Sequence, residues 1–363
     1  MIRSILITTC TALLLQKAEA QQGFVTCWGL NSEGQCDPPT GTFTQVAACN
    51  YHSLGIQEDG TIKCWGWNRD GQCDAPAGVF TEIAAGWYHS LGVREDSTIA
   101  CWGWNNDGQC NAPSGEFTQV AGGLFHSLGV RADGTIACWG SNAYGQSNAP
   151  NGVFRRVTGG YGHSVGLRQD GTITCWGLNN EGQCDAPEGI FTQVSAGDFH
   201  SIGLRKDGTI ACWGLNTSGE CDAPDGVFTQ VAAGLRHSIG LREDGTTECW
   251  GTNTSSECDA PDGNITQIAG GNGHTVAIMN NDCDDDGVED SLESDANQNQ
   301  VPDDCECIGD VVQNGNVGFE DILAVINTWG ECSELCPTDF IKDGTVGFAE
   351  VLYILNAWGP CSG

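Results

Sequence analysis

The sequence predicts an all-β, seven-bladed β-propeller closed by its N-terminal strand, followed by a small Cys-rich module with helical periodicity. Three observations carry the propeller. Cys-Trp-Gly recurs at residues 27, 64, 101, 138, 175, 212 and 249, always 37 apart. A histidine recurs at 52, 89, 126, 163, 200, 237 and 274 with the same step, and these are all seven histidines of the chain. A strict period in this range marks a solenoid, propeller or array and outranks local secondary-structure readings. The third observation is the offset between the two series. The first Cys-Trp-Gly has no histidine segment before it, and the last histidine segment (264–279) has no Cys-Trp-Gly after it. A solenoid would keep both ragged ends. A ring pairs the strand at 24–29 with the last segment and removes the exposed edges.

Each unit reads as three strands. "FTQVAAG", "HSLGVR" and "TIACWG" are short runs rich in β-branched or aromatic residues, and Asp-Gly between the second and third is a hairpin signal. Gly- and Pro-containing pieces close each unit.

The chain begins "MIRSILITTCTALLLQKAEA". A basic Arg3, an apolar run over 5–15 and Ala18-Glu19-Ala20 read as a secretory signal over 1–20, too short to anchor in a bilayer. Export permits disulfides. Without Cys10, 20 of the 21 cysteines remain, an even number. The net charge of -33 disfavours nucleic acid and anionic membranes and favours divalent cations. Its 12 Trp and 12 Phe argue for a packed core over disorder.

The stretch "HSLGVRADGTIACWGSNAYGQ" (126–146) resembles the repeat of the regulator of chromosome condensation family, and the likeness extends over seven repeats. That resemblance implies a seven-bladed propeller. It leaves function open, because members bind a small GTPase, chromatin, membranes or a β-lactamase. This chain lacks the basic tail of the chromatin-binding members.

Six repeats carry Cys-x8-Cys, and the family's repeat places the two positions side by side. The resemblance therefore implies disulfides Cys27–Cys36, Cys64–Cys73, Cys101–Cys110, Cys175–Cys184, Cys212–Cys221 and Cys249–Cys258. A zinc site needs four converging ligands, and a redox pair more often reads Cys-x-x-Cys. Cys138 faces Ser147 in place of a partner, and Cys49 replaces a recurrent Gly; both are expected unpaired, as buried apolar residues.

The register of histidines is expected to be structural, each bonding a neighbouring turn within its own blade. The repeated Trp is expected in the core. Positions that vary while their neighbours stay constant are free of the fold. Aromatics collect at these positions: Tyr51, Trp67, Trp87, Tyr88, Trp104, Phe125, Tyr161 and Phe199. They are candidate anchors for a protein partner or a sugar ring, or else fillers between blades.

After Met279 the repeat stops. Residues 282–363 hold 19 acids against one base, Lys342. Two segments over 282–306 are similar to thrombospondin type 3 calcium repeats. By residue matching, Asp282, Asp284, Asp286 and Asp290 form one candidate site, and Asp295, Asn297, Asn299 and Asp303 a second. Residues 307–363 hold two copies 29 apart, "DVVQNGNVGFEDILAVINTWG" and "DFIKDGTVGFAEVLYILNAWG". Each resembles an EF-hand loop entering a helix, and the pair resembles a dockerin. Candidate ligands are Asp310, Asn314, Asp321 and Asp339, Asp343, Glu350. Val312 and Ile341 stand where an oxygen ligand belongs, which predicts weak calcium binding or none. Disulfides Cys283–Cys305, Cys307–Cys332 and Cys336–Cys361 are expected to brace the module.

The domains are thus read as signal (1–20), propeller (21–281), acidic linker (282–306) and dockerin-like pair (307–363). The function read from them is non-catalytic extracellular binding by a monomer, secreted or at the cell surface. The propeller recognises a protein or glycan, and a calcium-binding tail spaces it or docks it to a cohesin-like scaffold. Nucleic acid and membrane insertion are not expected. The alternatives are a secreted polysaccharide-acting enzyme or an enzyme inhibitor with a dockerin-like tail. No catalytic constellation breaks the repeat in any one blade, which weighs against the enzyme.

Overall fold

The computed structural model describes residues 23–261 and 263–280, and in the tail residues 316–317, 322–323, 325–326, 330–331, 345–346, 351 and 359–360. The chain separates into two compact units, 1–280 and 281–363.

Among its described residues, the first unit holds 21 short strands. They are β1 (Gly23–Gly29), β2 (Thr42–Cys49), β3 (His52–Gln57), β4 (Ile62–Gly66), β5 (Phe80–Ala85), β6 (His89–Arg94) and β7 (Ile99–Gly103). Next come β8 (Phe117–Gly122), β9 (His126–Arg131), β10 (Ile136–Gly140), β11 (Phe154–Gly159), β12 (His163–Arg168), β13 (Ile173–Gly177) and β14 (Phe191–Ala196). The last are β15 (His200–Arg205), β16 (Ile210–Gly214), β17 (Gln230–Ala233), β18 (His237–Leu241), β19 (Thr247–Gly251), β20 (Ile265–Gly270) and β21 (His274–Met279).

Strands β5 to β19 form five antiparallel three-stranded sheets in sequence order. The remaining sheet has six strands, ordered β20-β21-β1-β2-β3-β4. β1 pairs with β21 from Phe24↔Met279 to Gly29↔His274, and bridges to β2 at Gly23↔Phe43 and Phe24↔Thr42. The first strands of successive repeats touch in order from β2 through β5, β8, β11, β14 and β17 to β20, and β20 touches β2. The circuit is therefore closed, and the N-terminal strand closes it as the offset of the two series predicts.

Packing explains the repeat. The middle strand of each unit is buried at nearly every residue, its leading His and the hydroxyl residue after it included. A bulge after the leading Phe in five units shifts the pleat, so that Phe80 and Ile83, three positions apart, are both buried. The glycine in the middle strand makes room for that Phe: a Cβ on Gly129 would lie 2.8 Å from Phe117 Cδ1. The last unit confirms the pairing by exchange, since Ala277 replaces the glycine where Ile265 replaces the Phe. Gly129→Ala is therefore expected to cost about 1–3 kcal/mol. Adding Phe117→Ile should restore at least half of that in guanidinium unfolding.

One hydrogen-bond relay recurs seven times. His52 Nε2 lies 2.9 Å from Ser90 Oγ, Ser90 donates to the Gln72 carbonyl at 2.8 Å, and Trp102 Nε1 donates to that same carbonyl at 2.8 Å. Because the hydroxyl proton goes to the carbonyl, the imidazole Nε2 is the donor to serine. The expectation of a bond within the histidine's own blade is thus corrected. The ring reaches across to the next repeat, and in the following unit a glycine of the histidine's own turn lies flat against the ring, where a Cβ on Gly86 would lie 2.3 Å from His89 Cε1. Relays from His237 to Thr275 and from His274 to Ser53 carry the series through the closure, where Trp28 Nε1 donates to the Glu257 carbonyl. Burial holds all seven imidazoles neutral, with pKa values lowered to about 3 or about 4.

The six Cys-x8-Cys pairs are disulfides, each with Cα atoms 5.1 Å apart. Cys49 and Cys138 are unpaired and half-buried, with burial pushing both thiols up to about 12. The turn opposite Cys138 is nevertheless intact. Asn142 Oδ1 accepts the Ser147 N–H at 3.0 Å and its Nδ2 donates to Asn148, as Asn105 does with Cys110 and Asn111. Ser147→Cys is therefore expected to close a seventh disulfide and add about 2.5–3 kcal/mol. The gain should vanish under reducing conditions in paired guanidinium titrations.

In the second unit, β22 (Asn316–Val317) pairs with β25 (Gly359–Pro360), and β23 (Gly330–Glu331) pairs with β24 (Thr345–Val346). The two pairings map onto each other through the 29-residue step, and residues 322–323, 325–326 and 351 are helical. The candidate calcium ligands and the three cysteine pairs of the tail lie outside the described residues.

Candidate functional site

The first strands converge on a central channel with a cavity of about 240 Å³. Its wall carries a ring that the sequence reading passed over. Gln45, Gln119, Gln193, Gln230 and Gln267 each accept the N–H of a residue on the next first strand, as Gln45 does from Ile83 at 3.1 Å. Glu82 and Arg156 occupy the two remaining positions. The signal was present in the sequence as a Gln repeated at the 37-residue step and broken twice.

The short turn before each histidine stands at one end of this channel. The eight candidate aromatics lie at this end, because the loop after each Cys-Trp-Gly folds back onto that turn: Trp67 N–H donates to the Tyr51 carbonyl and Trp104 N–H to the Tyr88 carbonyl, both at 2.8 Å. All eight are half-buried. Five form a continuous arc. Phe125 stacks on Tyr88 at 6.1 Å, Tyr88 meets Trp87 edge-on at 6.3 Å, Trp87 meets Tyr161 edge-on at 5.9 Å, and Tyr161 stacks on Phe199 at 4.9 Å. Tyr51 and Trp67 form a separate pair at 6.0 Å, with the Arg69 guanidinium 4.3 Å above the indole. Trp104 makes no ring contact among the described residues. The indole nitrogens of Trp67 and Trp104 are buried without a hydrogen-bond partner.

The channel mouth inside the arc is polar. Asn272 Nδ2 donates to Asn50 Oδ1 at 3.0 Å across the closure. Asp198, only 7% exposed, also lines the channel. Burial pushes its carboxyl up to about 8, and the charge of Arg236 moderates the shift. In the sequence Asp198 is one residue of a variable turn, two before His200, and nothing in its spacing marks it as buried.

Among the described residues, no group of three or more His, Cys, Asp or Glu side chains could hold a metal ion. No described helix is long and apolar enough to cross a membrane.

The Regulator of chromosome condensation (RCC1) repeat family matches residues 43–72, 80–109, 117–146, 154–183, 191–220 and 228–257. No curated protein sequence matches the chain. Among solved structures, Prp20p of Saccharomyces cerevisiae superposes with a TM-score of 0.63 at 17% identity, covering 72% of this chain and 92% of its own. Human WBSCR16 superposes with a TM-score of 0.62 at 17% identity, over 71% of this chain and 99% of its own. The ectodomain of the receptor kinase CR4 from Physcomitrella patens gives 0.55 at 27% identity, over 67% of this chain and 68% of its own. The first two likenesses show the fold alone. Six matched repeats together with these neighbours make this chain an all-β propeller of the RCC1 repeat type.

Proposed function

We propose that this chain is a secreted, non-catalytic binding protein whose seven-bladed propeller recognises an extracellular protein or glycan. The observation that carries the reading is the five-ring arc from Phe125 to Phe199, built on turn positions that the repeat leaves free to vary. Large aromatic side chains supply contact area at low entropic cost and dominate binding surfaces. Six disulfides fit an oxidising compartment, and the CR4 neighbour is itself an ectodomain. Prp20p was solved with attention to its binding of Gsp1p and histones, so a related propeller acts by binding proteins. The acidic tail is proposed to bind calcium and to serve as spacer or docking module.

The test is capture from native envelope and culture medium by the full chain, with calcium and with chelator. The double variant Trp87→Ala/Tyr161→Ala is expected to lose the captured partner by tenfold or more while keeping its melting transition. Undiminished capture would remove this face from consideration. Capture that survives the double variant but fails in chelator would move the function to the tail.

A further inference from the structure

Asp198 is the single charged residue in its register. The equivalent positions hold Asn50, Trp87, Leu124, Tyr161, Leu235 and Asn272, so the fold does not require a carboxyl there. Its backbone carbonyl is used, accepting the Tyr161 N–H at 3.2 Å. Its carboxyl is not: among the described residues it accepts no hydrogen bond and lies in no ion pair. Asp198 is 93% buried as a residue, and its carboxyl faces the channel with no protein partner to offset that burial. The charged or titratable groups acting on it are Arg236, which is exposed, and the half-buried Cys49 thiol.

The surroundings select the chemistry of a partner. Trp87 lines the same channel as Asp198, and Tyr161 meets Trp87 edge-on. Aromatic faces attract organic cations. Asn272, having donated to Asn50, keeps its Oδ1 as a second acceptor at the same mouth. Ala48, Ala85, Ala196 and Ala233 line the adjoining wall and suit an alkyl stem. A divalent metal would need six or more oxygen ligands and finds no such cluster here.

We propose that this channel mouth binds a primary ammonium group on an alkyl stem, with Asp198 as counter-ion, Asn272 Oδ1 as second acceptor and Trp87, backed by Tyr161, as the aromatic wall. The proposal deepens the binding reading above, because Trp87 and Tyr161 belong to the same arc. Lysine side chains of a partner and free alkylamines share this chemistry.

The experiment titrates the full chain with n-butylamine, n-butanol and Nα-acetyl-lysine-N-methylamide, read by calorimetry. Butylamine is expected to bind near 1 mM, the level its five heavy atoms allow. Butanol should bind at least tenfold more weakly. Asp198→Asn should weaken butylamine by tenfold or more. Because the ammonium needs the ionised carboxyl, affinity should be about twentyfold higher at pH 8.5 than at pH 6.5, a dependence that a purely structural Asp198 would not produce. If Asp198→Asn fails to fold, the pH profile of the unaltered chain and a Trp87→Leu variant, expected to weaken butylamine severalfold, decide the matter. Binding of both amines assigns the site to a lysine of a protein partner. Butylamine without the lysine analogue assigns it to free amines. Equal binding of butanol, a flat pH profile, or no binding at 20 mM overturns the proposal. Loss of partner capture in the arc variant without amine binding would leave the arc standing and remove only the ammonium site.

Discussion

Between pH 6.5 and 4.5 the propeller is expected to unfold in one steep transition, with its midpoint near pH 5. The seven buried imidazoles are neutral in the fold, their pKa values lowered to about 3 or about 4 from an ordinary 6.5, chiefly by burial. A depressed folded-state pKa means that the unfolded chain binds protons first as the pH falls. The histidine contribution is therefore complete above about pH 6.5 and is lost progressively as the pH drops towards the folded values. At pH 5 each histidine favours the unfolded chain by about 2 kcal/mol, so seven favour it by about 14 kcal/mol. Asp198 works in the opposite direction. Its folded pKa is raised to about 8, so its stabilisation is present at low pH and fades as the pH rises through 8. Between pH 7 and pH 5 it offsets about 3 kcal/mol of the loss. The net change is comparable to the whole stability of a typical domain, about 5–15 kcal/mol.

The measurement is guanidinium unfolding followed by tryptophan fluorescence at half-unit pH steps from 8 to 4.5. The free energy should fall with a slope approaching six protons per molecule, seven histidines less Asp198. His126→Gln keeps a donor for Ser164 and should lower that slope by one. Stability that stays level from pH 7 to pH 5 would mean that the imidazoles are not held neutral.

The 37-residue step made the ring legible before any coordinates, because a period is a statement about packing: each unit buries its faces only against copies of itself. The disulfides were legible through the family's repeat, and the closing strand through the offset of Cys-Trp-Gly against histidine. The arc was legible as variation against a constant background. Other features depend on geometry that no spacing contains. Whether His52 turns to its own repeat or reaches Ser90 is decided by the twist between neighbouring sheets. Asp198 sits in a variable turn, where a polar residue ordinarily meets water. It is buried because seven strands converge on a narrow axis. The Gln45 series points into that same axis and looks, in sequence, like the solvent side of an edge strand. The exchange of Phe and Gly for Ile265 and Ala277 was readable in principle, as a compensated pair in the last unit.

Removing Gly23–Gly29 is expected to be the most damaging small change to the first unit. β1 is the only strand that completes β20 and β21, and it carries Trp28, which is 8% exposed and packs against Ile239, Leu241, Ile268 and Met279. Deleting the Trp alone costs about 3–5 kcal/mol in a typical core. The deletion also removes the backbone ladder to β21, the Cys27–Cys36 disulfide and the donor to the Glu257 carbonyl. A total of about 5 kcal/mol or more should follow, together with a new open edge on β21 that invites pairing with another chain. Thermal melting should show the loss, and size-exclusion chromatography should show association. Trp28→Ala and Trp102→Ala make a sharper comparison, since both indoles donate to the corresponding carbonyl of the preceding repeat. A closed ring should feel either loss equally, because it has no first and last unit. If Trp28→Ala instead lowers the melting point much less than Trp102→Ala, the N-terminal strand is a loosely held latch and the stability of the unit resides in an open array of β2 to β21. If the two agree within about 0.5 kcal/mol, closure is complete, and supplying residues 23–29 as a peptide should restore the truncated chain to a single, concentration-dependent transition.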